Sequence, residues 1–336
     1  MEPTVPATSG VPTVFLGTGP FALPILDALA SVRDVRVVGV VTGPPRPVGR
    51  GARVRRSPVA LRAEALGIGP ILELMRVRAE SAVAGVLALG PELLVLADYG
   101  QIVPGTLLAR PRYGALNLHP SLLPRHRGAS PVAATILAGD RQAGVTLMRM
   151  DEGLDTGPVV AQVAVPLHGA ETATGLEAWL AAEAAELLRS TIGDWLAGRR
   201  PARPQPTEGV TVSRPLRREQ GRLDPEQDAV TLERQVRAYQ PWPGTWCLTV
   251  AGRLIVWAAR SLVVDRPSPP AVHPSSGDGE VGRIVPDGDG LAVLVADGGL
   301  RLDEVQLAGG RRMSAAALRR GHPELVGSRV GDPELP

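Results

Sequence analysis

In the first half of the chain, apolar residues fall in short, nearly continuous runs, separated by stretches whose apolar positions recur at helical spacing. Val11–Leu16, Val35–Val41 and Pro91–Ala97 are runs of the first kind. Nearly continuous apolar strands are expected where a parallel sheet is covered on both faces. Phe21–Ala30, Ser57–Leu66 and Pro131–Ala138 read as helices. Thr172–Leu188 reads as a long amphipathic helix, with Ser/Thr residues before it suited to an N-cap. The first run ends in G-T-G-P-F-A and leads directly into a helix. Strand, glycine turn and helix in that order open a doubly wound α/β sheet. Ala115–Leu118 and Val145–Met150 add two further strands.

The pattern changes after Gly198. The stretch Gly198–Gly209 carries four charges and three prolines and has no apolar period, the composition of a linker. Beyond a helix at Val230–Tyr239, short runs follow at Thr245–Val250, Leu254–Ala259, Gly282–Val285, Leu291–Val295 and Leu300–Leu307. Closely spaced short strands predict a small β-barrel. The tract Pro267–Gly279 reads as a loop between two of them. The expected division is an N-terminal extension over 1–10, a Rossmann-like α/β domain over 11–197, a linker over 198–212 and a small barrel over 213–331.

A chain of 336 residues with 44% hydrophobic content can bury two cores. Its formal charge of +2 is slight, but every one of its 36 basic residues is arginine. The absence of lysine excludes Schiff-base chemistry and a lysine-dependent phosphate loop. The single cysteine, Cys247, cannot form an internal disulfide, and no Cys/His cluster has metal spacing. No apolar run approaches a membrane span, and the polar, Pro-rich start lacks an apolar signal core. A cytoplasmic location without metal or membrane is the expectation. The G-x-G-x-x-A match at Gly17 does not predict a dinucleotide, because the second strand ends in Thr42 and Gly43 with no acid for a ribose.

The candidate chemistry lies between Gly114 and Val160. Asn117 and His119 stand two apart on a strand and so project to one side. Pro120 and Pro124 break the strand after them. Asp155 follows the next strand in L-D-T-G. An amide, an imidazole and a carboxylate at strand ends can supply an oxyanion donor, a proton carrier and a group that orients it. Spacing alone leaves a structural role for each residue equally open.

The two-part pattern N-x-H-P-S-L-L-P-x-x-R-G-x-x-P and G-V-T-x-M-x-M-D-x-G-L-D-T-G resembles the catalytic core of the folate-dependent formyltransferases. It is most similar to the branch that acts on tRNA. The resemblance runs from about Val11 to Gly331, since R-A-Y-Q-P-W-P-G-T-W and Q-L-A-G-G-R-R-M-S are similar to that branch's OB-like C-terminal domain. It implies a co-substrate, 10-formyltetrahydrofolate, an acceptor, initiator Met-tRNA, and generally a monomer. It implies that Asn117 holds the formyl oxygen, that His119 holds the same oxygen or shuttles the proton, and that Asp155 pairs with His119 and keeps a relay water. Ser121, Leu122, Leu123 and Pro124 match the folate-contact loop, flanked by Arg125 and Arg127. Asp98, Tyr99 and Gly100 match a pterin-cradling A-Y-G loop, with Asp98 in place of alanine.

Between Pro44 and Pro58 stand Arg46, Arg50, Arg53, Arg55 and Arg56 with no acid among them. R-P-V-G-R-G there resembles the branch's basic insertion, which contacts the tRNA acceptor end. Such a stretch is otherwise a solvated loop. Arg217 and Arg218 in S-R-P-L-R-R resemble, as charge only, a lysine-bearing segment on the route to tRNA. Pro225 replaces a family tryptophan, and His126 stands where an aromatic is common and is expected at the surface. Trp242 and Trp246 are expected in the barrel core; His168, His273 and His322 are assigned no role. Three other readings stay open: the same chemistry on an amino-sugar nucleotide, hydrolysis of formylfolate, and a non-enzymatic RNA-binding protein. The basic loop favours tRNA over a small acceptor, and the intact Asn/His/Asp set favours an enzyme.

Overall fold

The nearly continuous apolar runs form the centre of a seven-stranded sheet in the computed structural model, which describes residues 10–48, 53–262 and 280–331. In chain order the elements are β1 (Val11–Gly17), α1 (Ala22–Ser31), β2 (Val35–Thr42), a hairpin of β3 (Arg46–Val48) and β4 (Arg53–Arg55), α2 (Pro58–Ala65), β5 (Ile71–Glu73), α3 (Glu80–Leu87), β6 (Leu93–Ala97), α4 (Gly105–Leu108), β7 (Ala115–His119), β8 (Arg127–Gly128), α5 (Pro131–Ala138), β9 (Gln142–Arg149), β10 (Val159–Pro166), α6 (Ala173–Leu196) and β11 (Val212–Ser213). The strand order is β10-β9-β7-β6-β1-β2-β5. From β7 to β5 the strands are parallel, whereas β9 and β10 run antiparallel. Val14, Phe15 and Leu16 of β1 and Leu93, Leu94 and Val95 of β6 are fully buried, as strands covered on both faces require.

The chain divides into two compact units. Among the described residues, one comprises 10–132, 142–166 and 175–214, and the other 133–141, 167–174 and 215–331. Two short stretches of the expected α/β domain, 133–141 and 167–174, thus group with the second unit. The expected linker departs further from expectation. The N–H and C=O of Arg203 both bond to Val159, at 2.8 and 2.7 Å, and β11 pairs in parallel with β8. Proline and charge remove helical periodicity from 203–213, but they leave its backbone groups free to bond to the first unit. A low-propensity segment can still be a fixed one.

The second unit contains α7 (Ala229–Ala238), β12 (Thr245–Thr249), β13 (Gly252–Ser261), β14 (Ile284–Asp287), β15 (Gly290–Val295), β16 (Gly298–Leu307), β17 (Met313–Ser314) and α8 (Ala315–Gly321). Its antiparallel sheet has the order β12-β13-β16-β15-β14, with β17 on β16. Asp228 caps α7 through the Thr231 N–H at 2.8 Å, which lets Leu232 and Val236 face Leu254, Val256, Val293 and Val305 in one core. Cys247 lies in the same core, and burial pushes its thiol up to about 12. Trp242 is exposed rather than in the core. Trp246 is half-buried beneath the Arg253 guanidinium at 3.9 Å, a cation–π contact. The Pro225 carbonyl accepts the Ala296 N–H, a bond open to any residue type, and nothing in the structure accounts for proline in place of tryptophan there. Among the described residues no helix is long and apolar enough to cross a membrane.

Candidate active site

Strand β7 carries Asn117 and His119 to the C-terminal edge of the parallel sheet, between β6 and the antiparallel β9. Leu116 and Leu118, which point the other way, are fully buried and anchor the strand. Asn117 is half-buried, and its amide makes no hydrogen bond to another described residue. His119 is only 5% exposed. Its Nε2 lies 2.9 Å from the carbonyl oxygen of His126. A carbonyl can only accept, so Nε2 carries the ring proton and Nδ1 is the nitrogen left with a lone pair. Nδ1 faces Asp155 Oδ2 at 3.6 Å. Two acceptors facing each other become partners once Nδ1 gains a proton, and the imidazolium then sits beside a carboxylate.

Asp155 adopts a left-handed backbone (φ 53°) in the loop between β9 and β10. Its Oδ2 accepts the Gly128 N–H at 2.8 Å, and its carbonyl accepts the Gln205 amide at 2.8 Å. Gly128 has φ 103°, and a Cβ there would collide with the Ser213 carbonyl oxygen. Only glycine allows that approach and so brings its N–H to Asp155. His126, expected at the surface, is buried, and it too is left-handed (φ 56°). The turn after Pro124 folds back so that the His126 carbonyl meets His119. That inward turn is why a polar residue in a loop is not at the surface here.

The S-L-L-P loop is braced from beneath. Thr146, opposite His119 in the β7–β9 register, donates to the Ser121 carbonyl at 2.7 Å and accepts the Leu123 N–H at 3.1 Å. Gln162 donates to the Leu123 carbonyl and to Thr146, both at 2.8 Å. Ser121 and Leu123 are buried, with Ser121 Oγ on the Arg125 carbonyl, while Leu122 and Pro124 stay half-buried. Four adjacent candidate residues thus split into two that support the loop and two that present it.

At the neighbouring strand end, Thr18 and Gly19 donate their N–H groups to the Asp98 carbonyl, and the Thr18 hydroxyl joins the Gly43 N–H to the Tyr99 carbonyl. The ends of β1, β2 and β6 are tied at the position where sheet order reverses, the usual ligand crevice of such sheets. Gln101 fixes the loop by accepting from Val77 N and donating to the Leu74 carbonyl. Asp98 (φ 47°) and Gly100 (φ 69°) are left-handed. The Asp98 carboxylate crowds the α-carbon of Gly19, where a Cβ would collide with it. The residue as a whole is exposed, but its carboxylate is shielded from water where it lies against Gly19, and that shielding, then Glu177 of α6, pushes its pKa up to about 7. The Tyr99 ring packs in the sheet core, and its buried hydroxyl has no partner among the described residues.

Two family profiles match the chain: formyl transferase over residues 12–192, and formyl transferase, C-terminal domain, over 215–323. A methionyl-tRNA formyltransferase of Halorhodospira halophila is 42% identical over 317 residues, which is 94% of this chain and 98% of the relative. One of Thermus thermophilus is 42% identical over 320 residues, with the same coverage of both chains. The chain belongs to the methionyl-tRNA formyltransferase family. The fold is also that of an N-formyltransferase from Helicobacter canadensis solved with folinic acid and dTDP-3-aminofucose (TM-score 0.59, 12% identity, 90% of this chain and 100% of that one).

In this member of the family the basic residues are not equivalent. Arg46 and Arg55 face each other across the β3–β4 hairpin, and with Arg53 they are exposed. Like charges directly opposed are unfavourable unless an anion joins them. Arg56 is instead tied to Glu73 at 2.8 Å and to Glu64, and so anchors the base of the hairpin together with the buried Thr42–Ser57 hydroxyl pair. Arg50 lies outside the described residues. Arg217 and Arg218 are exposed on the second unit. Sequence reasoning missed Gly128, Thr146, Gln205 and Thr211. For Thr146 only part of a signal existed: alternation along β9 sets its face, whereas its place opposite His119 comes from the strand register. For Gln205 and Thr211 there was none, since no periodicity ties an irregular segment to a partner some 80 residues away.

Proposed function

We propose that this chain transfers the formyl group of 10-formyltetrahydrofolate to the amino group of initiator Met-tRNA, acting as a cytoplasmic monomer. The observation that carries the catalytic part is the arrangement of Asn117, His119 and Asp155: an amide unpartnered among the described residues, an imidazole whose Nε2 is already committed, and a partly buried carboxylate 3.6 Å from Nδ1. The residues present fit the folate co-substrate. The amide of Asn117 makes no hydrogen bond among the described residues, and the left-handed loop at Asp98–Gly100, which follows its β6 neighbour, exposes peptide groups able to receive a pterin edge. When bound, 10-formyltetrahydrofolate supplies the formyl carbon and the leaving nitrogen.

The chain's own residues do the rest. Asn117 donates to the formyl oxygen as negative charge develops there, and removing one such donor costs an enzyme about 3–4 kcal/mol. His119 takes the proton of the attacking amine at Nδ1 and gives it up toward the departing nitrogen. Asp155, held by Gly128, stabilises the imidazolium in between. The exposed arginines of the hairpin supply bidentate donors for the successive phosphates of a tRNA backbone.

The test is transfer of labelled formyl groups to initiator Met-tRNA, elongator Met-tRNA and an amino-sugar nucleotide in parallel. Formylation of initiator tRNA alone is expected. Formylation of the sugar with tRNA untouched would overturn the acceptor while leaving the chemistry in place.

A further inference from the structure

Segment 203–213 lies between the two matched profiles, yet it holds both halves of the catalytic pair. His126 and Asp155 are left-handed without being glycine, a conformation that costs about 1–3 kcal/mol at each position unless its surroundings enforce it. At Asp155 the enforcing group is Gln205. Its Nε2 donates to the carbonyls of Asp155 (2.8 Å) and Gly157 (2.7 Å), while its Oε1 accepts both Nε and a terminal nitrogen of Arg127 (3.1 and 2.7 Å). Every hydrogen-bonding site of that side chain is in use. At His126 the enforcing group is Thr211. Its hydroxyl accepts the His126 N–H at 2.8 Å and lies 3.3 Å from His126 Nδ1, and its carbonyl accepts the Arg127 N–H at 2.9 Å. The peptides on both sides of His126 are thereby fixed, including the one whose carbonyl receives His119 Nε2.

We propose that Gln205 and Thr211 are positioning residues of the reaction: Thr211 sets the tautomer and orientation of His119 through the His126 carbonyl, and Gln205 sets the backbone that presents Asp155. A segment that only covered the loop would need neither a saturated glutamine nor a hydroxyl aimed at the histidine-bearing turn. The inference rests on the catalytic reading above, so its test includes a measurement that needs no turnover.

The experiment uses the full chain and the variants Thr211→Val, Thr211→Ser and Gln205→Met. Formyl transfer to initiator Met-tRNA is expected to fall roughly tenfold to a hundredfold in kcat for Thr211→Val and Gln205→Met, as for a misplaced catalytic group. KM for both substrates should stay within about twofold, and Thr211→Ser should recover to within about twofold of the parent, because it keeps the acceptor. In parallel, nitrogen NMR of the parent should show His119 as the Nε2–H tautomer, retained in Thr211→Ser and lost or mixed in Thr211→Val. Unchanged kcat, a rise confined to KM, failure of serine to rescue, or an Nδ1–H tautomer in the parent each overturns the proposal. If Thr211→Val does not fold, the parent tautomer and the serine variant decide. If the chain does not formylate Met-tRNA, the functional reading fails, while the tautomer still tests this one.

Discussion

Asp155→Asn isolates the electrostatic contribution of the pair. Asparagine tolerates the left-handed backbone that residue 155 needs, and its side-chain oxygen can still accept the Gly128 N–H, so the loop keeps its shape. The remaining NH₂ then faces His119 Nδ1 and donates to its lone pair, which holds the ring neutral. In the parent, unit charges 3.6 Å apart attract by about 4–5 kcal/mol at an effective dielectric near 20. Partial solvation of Asp155, whose side chain is 14% exposed, reduces what reaches the transition state. A loss of about 3 kcal/mol corresponds to roughly a 150-fold fall in kcat. Single-turnover formyl transfer at saturating folate and tRNA reads that quantity without product release. The melting temperature should move by no more than a few degrees. A fall in kcat below about tenfold, in a variant that melts with the parent, would show that proton transfer does not pass beside Asp155.

Three further outcomes follow from the same geometry. Arg46→Ala or Arg55→Ala should weaken tRNA use and lower the slope of log affinity against log salt by about 0.7–0.9 per lost phosphate contact, without destabilising the hairpin; Arg56→Ala should lower the melting temperature and leave that slope unchanged, and the reverse pattern would refute the division of roles. Asp98→Asn should gain stability over the parent as pH rises: the folded parent holds its proton up to about pH 7, whereas the unfolded chain loses it near the ordinary carboxylate value, so parent stability falls across that window. Melting curves at pH 4 and pH 8 that differ equally for the two proteins would rule this out. Leu116→Ala, at a fully buried position of β7, should cost about 2–5 kcal/mol in denaturant unfolding, and a cost below about 1 would mean the strand is not anchored as described.

Fold class was legible in the chain because it depends on local pattern. Nearly continuous apolar runs mark β1, β2 and β6, the Asn117/His119 spacing marks a shared side of β7, and every short strand expected after Gly198 is present. Those features rest on residues close in sequence, where periodicity and propensity act. Three things were not legible. His126 was expected at the surface, yet a backbone turn buries it and makes its carbonyl the anchor of His119. Arg56 looked like its arginine neighbours until the fold set Glu64 and Glu73 beside it. Segment 198–212 read as a linker, because the bonds that fix it from Arg203 onward join its backbone and two of its side chains to loops some 50 to 85 residues earlier. Residue type and spacing report which groups a chain carries and which way a strand or helix turns them. Hydrogen bonds between irregular segments leave no period behind, so only the folded chain shows which of those groups meet.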